Sequence, residues 1–399
     1  GDYAVTNFNP EDFLNEHIAK MPPSGIRKFF DAANNMEGAI SLGVGEPDFM
    51  TPWHIRDAGI YALERGKTHY TANAGLKELR EEICLYLKRR FKLDYTQSEV
   101  LVTVGGSEAV DIALRSLINR GDEVLIPEPS FVCYKPCAEM AGGVAVPIAT
   151  KAENGFKLTK DDILSHITDK TKILILSYPN NPTGAIMTKE DLEKIVPVIK
   201  EHNIMVISDE IYAELTYEGH HTSIASLDGM KDRCIVINGF SKAYAMTGWR
   251  LGYACGNEKI IKIMTKVHQY AIMCAPTTSQ FAAIEALKNG DKSIETMAHE
   301  YNYRRKVIVD GFNKLGLTCF NPQGAFYIFP CIKSTGMSSD EFCKKLLEEE
   351  KLAIVPGTAF GECGEGFLRV SYAYSIEQIN EALIRVERFL EKIKKGDIK

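Results

Sequence analysis

Lys242 and Arg250 lie in the stretch "VINGFSKAYAMTGWRLGYACG", residues 236–256, just after an apolar run that starts at Cys234. The run predicts a buried strand, and lysine is rarely buried without a partner. An amine that is desolvated near other cations loses proton affinity and becomes a nucleophile. Lys242 is therefore a candidate for covalent chemistry, and Arg250 is a candidate guanidinium for binding an anion.

Two other sets of residues that could take part in binding or catalysis follow predicted strands. Gly105, Gly106 and Ser107 open a predicted helix, where backbone N–H groups and the helix dipole suit a phosphate, although a plain tight turn would also use glycines. Asp209 follows the run at 204–208, and a buried carboxylate needs a cationic partner, which a plain salt bridge to Lys242 or Arg250 would also supply. A phosphate cradle, an acid for a ring nitrogen and a lysine for an aldehyde together suit pyridoxal 5′-phosphate.

The elements that must position these groups alternate between short apolar runs and helical segments from about residue 100 to 255. The runs are nearly unbroken, as in strands buried on both faces, and predict a mainly parallel sheet flanked by helices. Predicted strands are residues 100–104, 123–127, 172–177, 204–208, 234–238 and 251–256, with helices at 107–121, 131–142 and 188–202. Because ligands bind outside the carboxyl ends of parallel strands, the polar groups after these strands are expected to converge on one edge.

The two ends of the chain have a different pattern, with longer helices and few strands. A helix is predicted in "EYNYRRKVIVDGFNKLG", a strand in "AFYIFPCI" and an amphipathic helix in "SIEQINEALIRVERFLEKIKK". With 399 residues the chain is long enough for two domains. We predict a large domain over 51–294 and a smaller α+β domain built from 1–50 and 295–399.

Composition excludes several classes of function. The net charge of −6 gives no basic field for nucleic acid, and no apolar run is long enough for a membrane span. The N-terminal stretch lacks the regions of a signal peptide, which favours the cytoplasm. The ten cysteines form no CxxC pair, and His220–His221 lies in a polar stretch that predicts a solvated loop, so no metal site is expected.

The stretches "GVGEPDF", "NNPTG", "SDEIY" and "SKAYAMTGWRLGY" together resemble the class I aminotransferases of fold type I. The resemblance runs from about residue 24 to 373 and is nearest to bacterial aspartate and aromatic aminotransferases. "SGIRKFF", "NGFKLT", "KVHQY" and "GAFYIFP" are also similar to N-acetyl-diaminopimelate aminotransferases. The resemblance to class I aminotransferases implies an α/β fold with a mainly parallel seven-stranded sheet, pyridoxal phosphate as cofactor and a homodimer with shared active sites.

The same resemblance implies a role for each matching residue. Lys242 would carry the cofactor as an internal aldimine, Asp209 would pair with the ring nitrogen, and Tyr212 would bind the ring hydroxyl oxygen. The other cofactor-binding positions are Asn181 at that oxygen, Phe131 stacked on the ring, Gly105, Gly106, Ser107, Ser241 and Arg250 at the phosphate, and Tyr70 at the phosphate of the neighbouring subunit. Substrate-binding positions are Arg369, which would clamp the α-carboxylate, with Gly45, Asn181 and Arg27.

The activity implied is the transfer of an amino group from an L-amino acid to a 2-oxo acid, with 2-oxoglutarate and glutamate as one pair, by a ping-pong mechanism. One departure concerns the phosphate: many relatives have serine at the position just before "FSK", where this chain has Gly239. A carbon–sulfur β-lyase shares the lysine, acid and arginine and is the alternative. A nicotinamide dehydrogenase is disfavoured because no G-x-G-x-x-G follows a first strand. A non-catalytic ligand-sensing module is disfavoured because such proteins usually carry an added DNA-binding segment, for which this sequence has no spare length.

Overall fold

The computed structural model describes residues 3–398, with the backbone alone at Lys28 and Phe29. The strands are β1 Ile40–Ser41, β2 Val100–Thr103, β3 Glu123–Glu128, β4 Val144–Ala149, β5 Thr171–Ser177, β6 Met205–Asp209, β7 Cys234–Gly239, β8 Gly252–Cys255, β9 Tyr327–Ile328, β10 Leu352–Ala353, β11 Val355–Pro356 and β12 Leu368–Ser371. The α-helices are α1 Glu16–Lys20, α2 Gly25–Asn34, α3 Trp53–Glu64, α4 Lys77–Phe91, α5 Gly105–Leu117, α6 Tyr134–Met140, α7 Lys160–Leu164, α8 Lys189–Glu201, α9 Glu258–Ile272, α10 Thr277–Asn289, α11 Asp291–Lys314, α12 Ser339–Glu350 and α13 Ile376–Lys394.

The central sheet has seven strands in the order β2-β8-β7-β6-β5-β3-β4. Strands β4, β3, β5, β6 and β7 are parallel neighbours, whereas β8 runs antiparallel to both β7 and β2. The carboxyl ends of β2, β5, β6 and β7 therefore face the same edge. This confirms the predicted mainly parallel sheet.

Both faces of this sheet are covered by apolar layers. Ile173 and Ile175 pack on one face with buried residues of α5 and α9, while Leu174 and Leu176 pack on the other face with residues of α4 and α8. Successive side chains of a strand point to opposite faces, so a strand that is covered on both sides must be apolar throughout. The unbroken runs of the sequence are the result.

Strand β4 was not predicted from the apolar runs. It lies at the sheet edge beside β3, and its Val144 is 47% exposed. Pro147 interrupts the run, and proline is tolerated in a sheet at an edge. The predicted helix over 131–142 is also shorter in the structure, beginning only at Tyr134 and ending at Met140.

The remaining strands form two small sheets near the chain ends. Strands β11, β12 and β9 form an antiparallel sheet, and β1 pairs with β10 in parallel. An apolar cluster joins these strands to α11, α12 and α13. The division at 294 and 295 remains a prediction; helix α11 is continuous across it.

Over residues 3–398, the helices lack the combination of length and apolar character needed to cross a membrane.

Candidate active site

A cavity of about 350 Å³ lies at the carboxyl edge of the central sheet. The segments after β2, β5, β6 and β7 form one side, and β12, β9 and helix α2 contribute the other. The predicted positions that line it are Gly45, Gly106, Ser107, Phe131, Asn181, Asp209, Tyr212, Ser241, Lys242, Arg250 and Arg369. The convergence that was expected from parallel strands is therefore found.

Lys242 follows β7, and its amine points into this cavity. Its Nζ donates a hydrogen bond to the carbonyl oxygen of Gly45 at 2.5 Å and lies 5.7 Å from the ring centroid of Tyr212. Burial, followed by the positive charges of Arg369 and Arg250, lowers the pKa of Lys242 from 10.5 to about 8. About a tenth of the amine is therefore uncharged at pH 7, far more than for an ordinary lysine, and the uncharged form is the one that acts as a nucleophile or base.

Asp209 ends β6 and is a buried residue of the cavity lining. Its Oδ2 accepts a hydrogen bond of 2.6 Å from the hydroxyl of Tyr134, and its Oδ1 accepts one of 3.3 Å from the backbone N–H of Ile211. Burial raises the pKa of Asp209, and the hydrogen bond from Tyr134 opposes that shift. A cationic group above this carboxylate would relieve its desolvation.

The segment Gly105–Gly106–Ser107, here called the phosphate turn, begins helix α5. Gly105 has a φ of +73°, and a β-carbon there would lie 2.6 Å from Nη2 of Arg250. The guanidinium thus sits directly beside the turn, and its Nη1 also donates to the carbonyl of Thr247 at 2.9 Å. A helix N-terminus with an adjacent guanidinium is suited to a phosphate dianion.

Arg369 lies on β12 and is 2% exposed. Its Nη1 donates to Oδ1 of Asn181 at 2.9 Å and its Nη2 donates to the carbonyl of Gly43, while its Nε has no hydrogen-bond partner among the described residues. The guanidinium carbon lies 4.6 Å from the ring centroid of Tyr327. A buried guanidinium whose Nε–H and remaining Nη N–H groups are still free to donate is suited to an incoming carboxylate.

Three predicted positions do not line the cavity of this chain. Gly105 packs directly against the guanidinium of Arg250. Tyr70 is 79% exposed, and Arg27 lies on the exposed side of α2, whereas Ile26 and Phe30 of the same helix face the cavity. The structure therefore does not bring Arg27 to the site within one chain.

Two aromatic residues of the site, Tyr134 and Tyr327, were not predicted from the sequence. Tyr134 holds Asp209 from helix α6, and the hydroxyl of Tyr327 lies 2.7 Å from that of Tyr212. Tyr134 stood inside the predicted helix 131–142 and Tyr327 inside the stretch "GAFYIFP", but their contacts depend on how α6 and β9 approach the sheet edge. A local pattern carries no signal for such contacts.

Two other expectations concern residues close to the site. The predicted solvated loop at His220–His221 was wrong for His221, whose side chain is 7% exposed and whose Nε2 lies 2.6 Å from Oε1 of the buried Glu210. Gly239 does not line the cavity; a β-carbon there would lie 3.0 Å from Cα of Gly252. Close packing against β8 therefore disfavours a serine at this position, while Ser241 faces the cavity instead.

The donor set fits pyridoxal 5′-phosphate. The cavity places an amine of lowered pKa and a buried carboxylate on the same floor, an aromatic wall at Phe131, and an anion-binding turn beside a guanidinium. The unpartnered Nε of Arg369 remains for a carboxylate. These are the groups that an aldehyde, a ring nitrogen, a phosphate and an amino acid each need.

Comparison with known proteins gives the family. The sequence profile described as aminotransferase class I and II matches residues 37–386. The chain is 54% identical to the putative aminotransferase YugH of Bacillus subtilis, over 95% of this chain and 99% of that protein. It is 46% identical to an aspartate aminotransferase of Pyrococcus abyssi and 43% identical to a probable N-acetyl-LL-diaminopimelate aminotransferase of Bacillus subtilis, each over 96% of this chain, with 99% and 97% of those proteins covered.

A solved structure agrees with these relatives. The aromatic aminotransferase from Pyrococcus horikoshii superposes with a TM-score of 0.88 at 45% identity, covering 92% of this chain and 99% of that one. These comparisons confirm the predicted α/β fold of type I and the predicted resemblance to class I aminotransferases. This chain belongs to the class I and II aminotransferases, enzymes that depend on pyridoxal phosphate and transfer amino groups.

Proposed function

We propose that this enzyme transfers the amino group of an L-amino acid to 2-oxoglutarate, and that Lys242 carries the chemistry. The observation that supports this most directly is one cavity in which Lys242, with a pKa of about 8, lies with Asp209 and Arg369. Pyridoxal phosphate, when bound, supplies an aldehyde for the amino group and a ring that withdraws electrons. The protein's residues orient that group and move the protons.

On the cofactor side, each part of pyridoxal phosphate is assigned its own protein residues. Asp209, fixed by Tyr134, keeps a proton on the ring nitrogen, because a buried carboxylate favours a cationic partner. Tyr212 and Asn181 donate to the ring hydroxyl oxygen, and Phe131 covers the ring. The phosphate turn, Ser241 and Arg250 hold the phosphate.

On the substrate side, Arg369 binds the α-carboxylate. Two of its nitrogens are held in place by Asn181 and the carbonyl of Gly43, so the guanidinium is oriented before substrate arrives. Gly45 keeps this side open, since a β-carbon there would lie 2.5 Å from the Tyr327 hydroxyl. Lys242, as a base, takes the proton from the substrate's Cα.

The amino donor is proposed at the level of class only. The relatives named above are aspartate, aromatic and N-acetyl-diaminopimelate aminotransferases, and all three classes carry an α-carboxylate for Arg369. Arg27 would meet a second carboxylate only if helix α2 turned or a partner chain completed the pocket. We further propose that the enzyme works in the cytoplasm as a homodimer in which Tyr70 reaches the phosphate of the partner's site.

The proposal is tested by measuring glutamate formed from 2-oxoglutarate with aspartate, phenylalanine, tyrosine and N-acetyl-diaminopimelate as donors. At least one donor is expected to give stoichiometric glutamate, and Asp209→Ala is expected to retain bound cofactor but lose most of the rate. Cystathionine serves as the parallel substrate. Pyruvate release from cystathionine with no glutamate from any donor would instead establish a β-lyase.

A further inference from the structure

Behind the phosphate turn lies a buried pair, Glu108 and His268, that none of the roles above uses. Oε2 of Glu108 lies 2.7 Å from Nδ1 of His268, and Oε1 accepts a 2.7 Å hydrogen bond from the backbone N–H of Val104. The side chain of His268 is fully buried and that of Glu108 is 9% exposed. Both carboxylate oxygens are thus occupied, and neither faces an open solvent surface.

We propose that Glu108, held by His268, is a positioning residue that fixes the phosphate turn for the phosphate of pyridoxal phosphate. This inference rests on the proposed role of Gly105, Gly106 and Ser107 at that phosphate. It assigns a function to Glu108 and His268, which themselves do not line the cavity.

The need for such a residue follows from the way helix α5 begins. Val104 is its N-cap residue, and valine has no side-chain acceptor for the free N–H groups of the first turn. Glu108 reaches back to the N–H of Val104, as the glutamate of a capping box does, and the hydroxyl of Thr103 donates to the carbonyl of Gly105 at 2.8 Å. The turn is therefore held on both sides of Gly105, a residue with high conformational freedom.

His268 connects this anchor to a second helix. It lies on α9, whose residues Ile261 and Met264 pack in the same apolar cluster as α5. Its Nδ1–H donates to Glu108, and its Nε2 has no hydrogen-bond partner in the part of the chain that the structure describes. The single polar contact of this buried ring is thus with Glu108, which makes positioning of the carboxylate its evident role.

A competing effect comes from charge. A carboxylate in the first turn of α5 repels the phosphate dianion that the same turn is proposed to bind. On charge alone, removing Glu108 would strengthen phosphate binding; on positioning, it would weaken it. Substitution by glutamine separates the two effects, because glutamine keeps an oxygen for the N–H of Val104 and removes the charge.

The test compares the affinities of the apoprotein for pyridoxal phosphate and for pyridoxal, which lacks the phosphate. Glu108→Ala is expected to weaken binding of pyridoxal phosphate about tenfold, as the loss of a buried hydrogen-bond acceptor for the turn implies, with pyridoxal changed less than about twofold. Glu108→Gln is expected to bind pyridoxal phosphate at least as tightly as wild type. The matched control is Glu285→Ala, which removes another Glu–His contact, the 3.0 Å pair with His54, away from the cavity; it is expected to leave both affinities unchanged.

Three results would overturn the inference. A parallel loss for both ligands in Glu108→Ala would show a general structural role, unchanged affinities would show no role, and tighter binding in both Glu108 variants would show that charge alone acts. If Glu108→Ala does not fold, His268→Leu replaces it, with the same selective loss expected. Failure of wild type to bind pyridoxal phosphate would overturn the proposed function itself, a result distinct from the other three.

Discussion

The reactivity of Lys242 comes from what surrounds its amine. Folding moves this group away from water and places it near Arg369 and Arg250, and both changes disfavour the charged form. Since its pKa falls from 10.5 unfolded to about 8 folded, the unfolded chain binds more protons between those values. The contribution of Lys242 to stability therefore rises with pH across that window, and its charged form below it opposes folding.

The first prediction concerns the pH at which this amine reacts. The rate at which borohydride traps pyridoxal phosphate on the apoprotein should rise with pH around a midpoint near 8, well below the ordinary 10.5 of lysine. Arg369→Gln removes the positive charge that lowers the pKa of Lys242 most, and it should move that midpoint upward. Arg115→Gln, which alters an exposed pair with Asp111 on α5, is the control and should leave it in place.

The outcome that contradicts this prediction is a midpoint above 10 in the wild type, or the same midpoint in both arginine variants. Trapping at a lysine other than Lys242 would contradict the assignment of the residue as well.

Individual site residues could be predicted where a reactive or polar residue directly follows a predicted strand. Lys242, Asp209 and the phosphate turn all stand just after an apolar run, and parallel topology brings such positions to one edge. Tyr134 and Tyr327 come from a helix and from a two-residue strand, so their contacts depend on packing angles that the sequence does not state. Arg27 shows the opposite error: the motif matched, but its side chain lies on the exposed side of its helix.

Two carboxylates with different surroundings stand at the end of β6: that of its last residue, Asp209, and that of the residue after it, Glu210. Asp209 lines the cavity, while the next residue, Glu210, is 2% exposed and accepts hydrogen bonds from Ser208 at 2.8 Å and Ser223 at 2.7 Å. His221 makes the third contact with Glu210, at 2.6 Å. The carboxyl end of β6 is thus tied to the loop at 221–223.

The second prediction follows from this tie. His221→Ala leaves the buried carboxylate of Glu210 with one partner fewer, and we expect it to lower the free energy of unfolding by about 1–3 kcal/mol. His220→Ala is the matched control, since His220 is exposed, and a change within about 0.5 kcal/mol is expected. Denaturant unfolding of the two apoproteins measures both values. Equal unfolding midpoints would contradict a structural role for His221.

At the level of elements, the sequence predicted those that are apolar on both faces. The five inner strands and the edge strand β2 have unbroken runs, whereas β4, at the other edge, is half exposed and contains Pro147, so its pattern resembles a loop. The buried His221 was missed for a related reason, because its neighbours in "YEGHHTS" are polar and its burial comes from contact with Phe91 of α4, at 5.5 Å between ring centroids. Local composition cannot report a contact made across the fold.

At the scale of the whole molecule, exposed aromatic side chains mark a surface beside the loop of Tyr70. Tyr70 is 79% exposed and Tyr270, near the end of α9, is 84% exposed. The carbonyl of Met273, just after α9, accepts a 2.8 Å hydrogen bond from Asn73, so the loop of Tyr70 and the end of α9 lie together. A surface of this kind is typical of an interface between subunits, which supports the proposed homodimer.

The last prediction tests whether Tyr70 completes the partner's site. Tyr70→Ala and Lys242→Ala homodimers should both have low activity, and refolding them together should recover about a quarter of wild-type activity, because half the dimers are hybrids that carry one intact site each. The control mixture combines Asp209→Ala with Lys242→Ala, whose side chains line one cavity of the same chain, so no hybrid has an intact site. If the Tyr70 mixture stays as inactive as this control, Tyr70 acts within its own subunit, whereas fully active Tyr70→Ala homodimers would show that Tyr70 has no role.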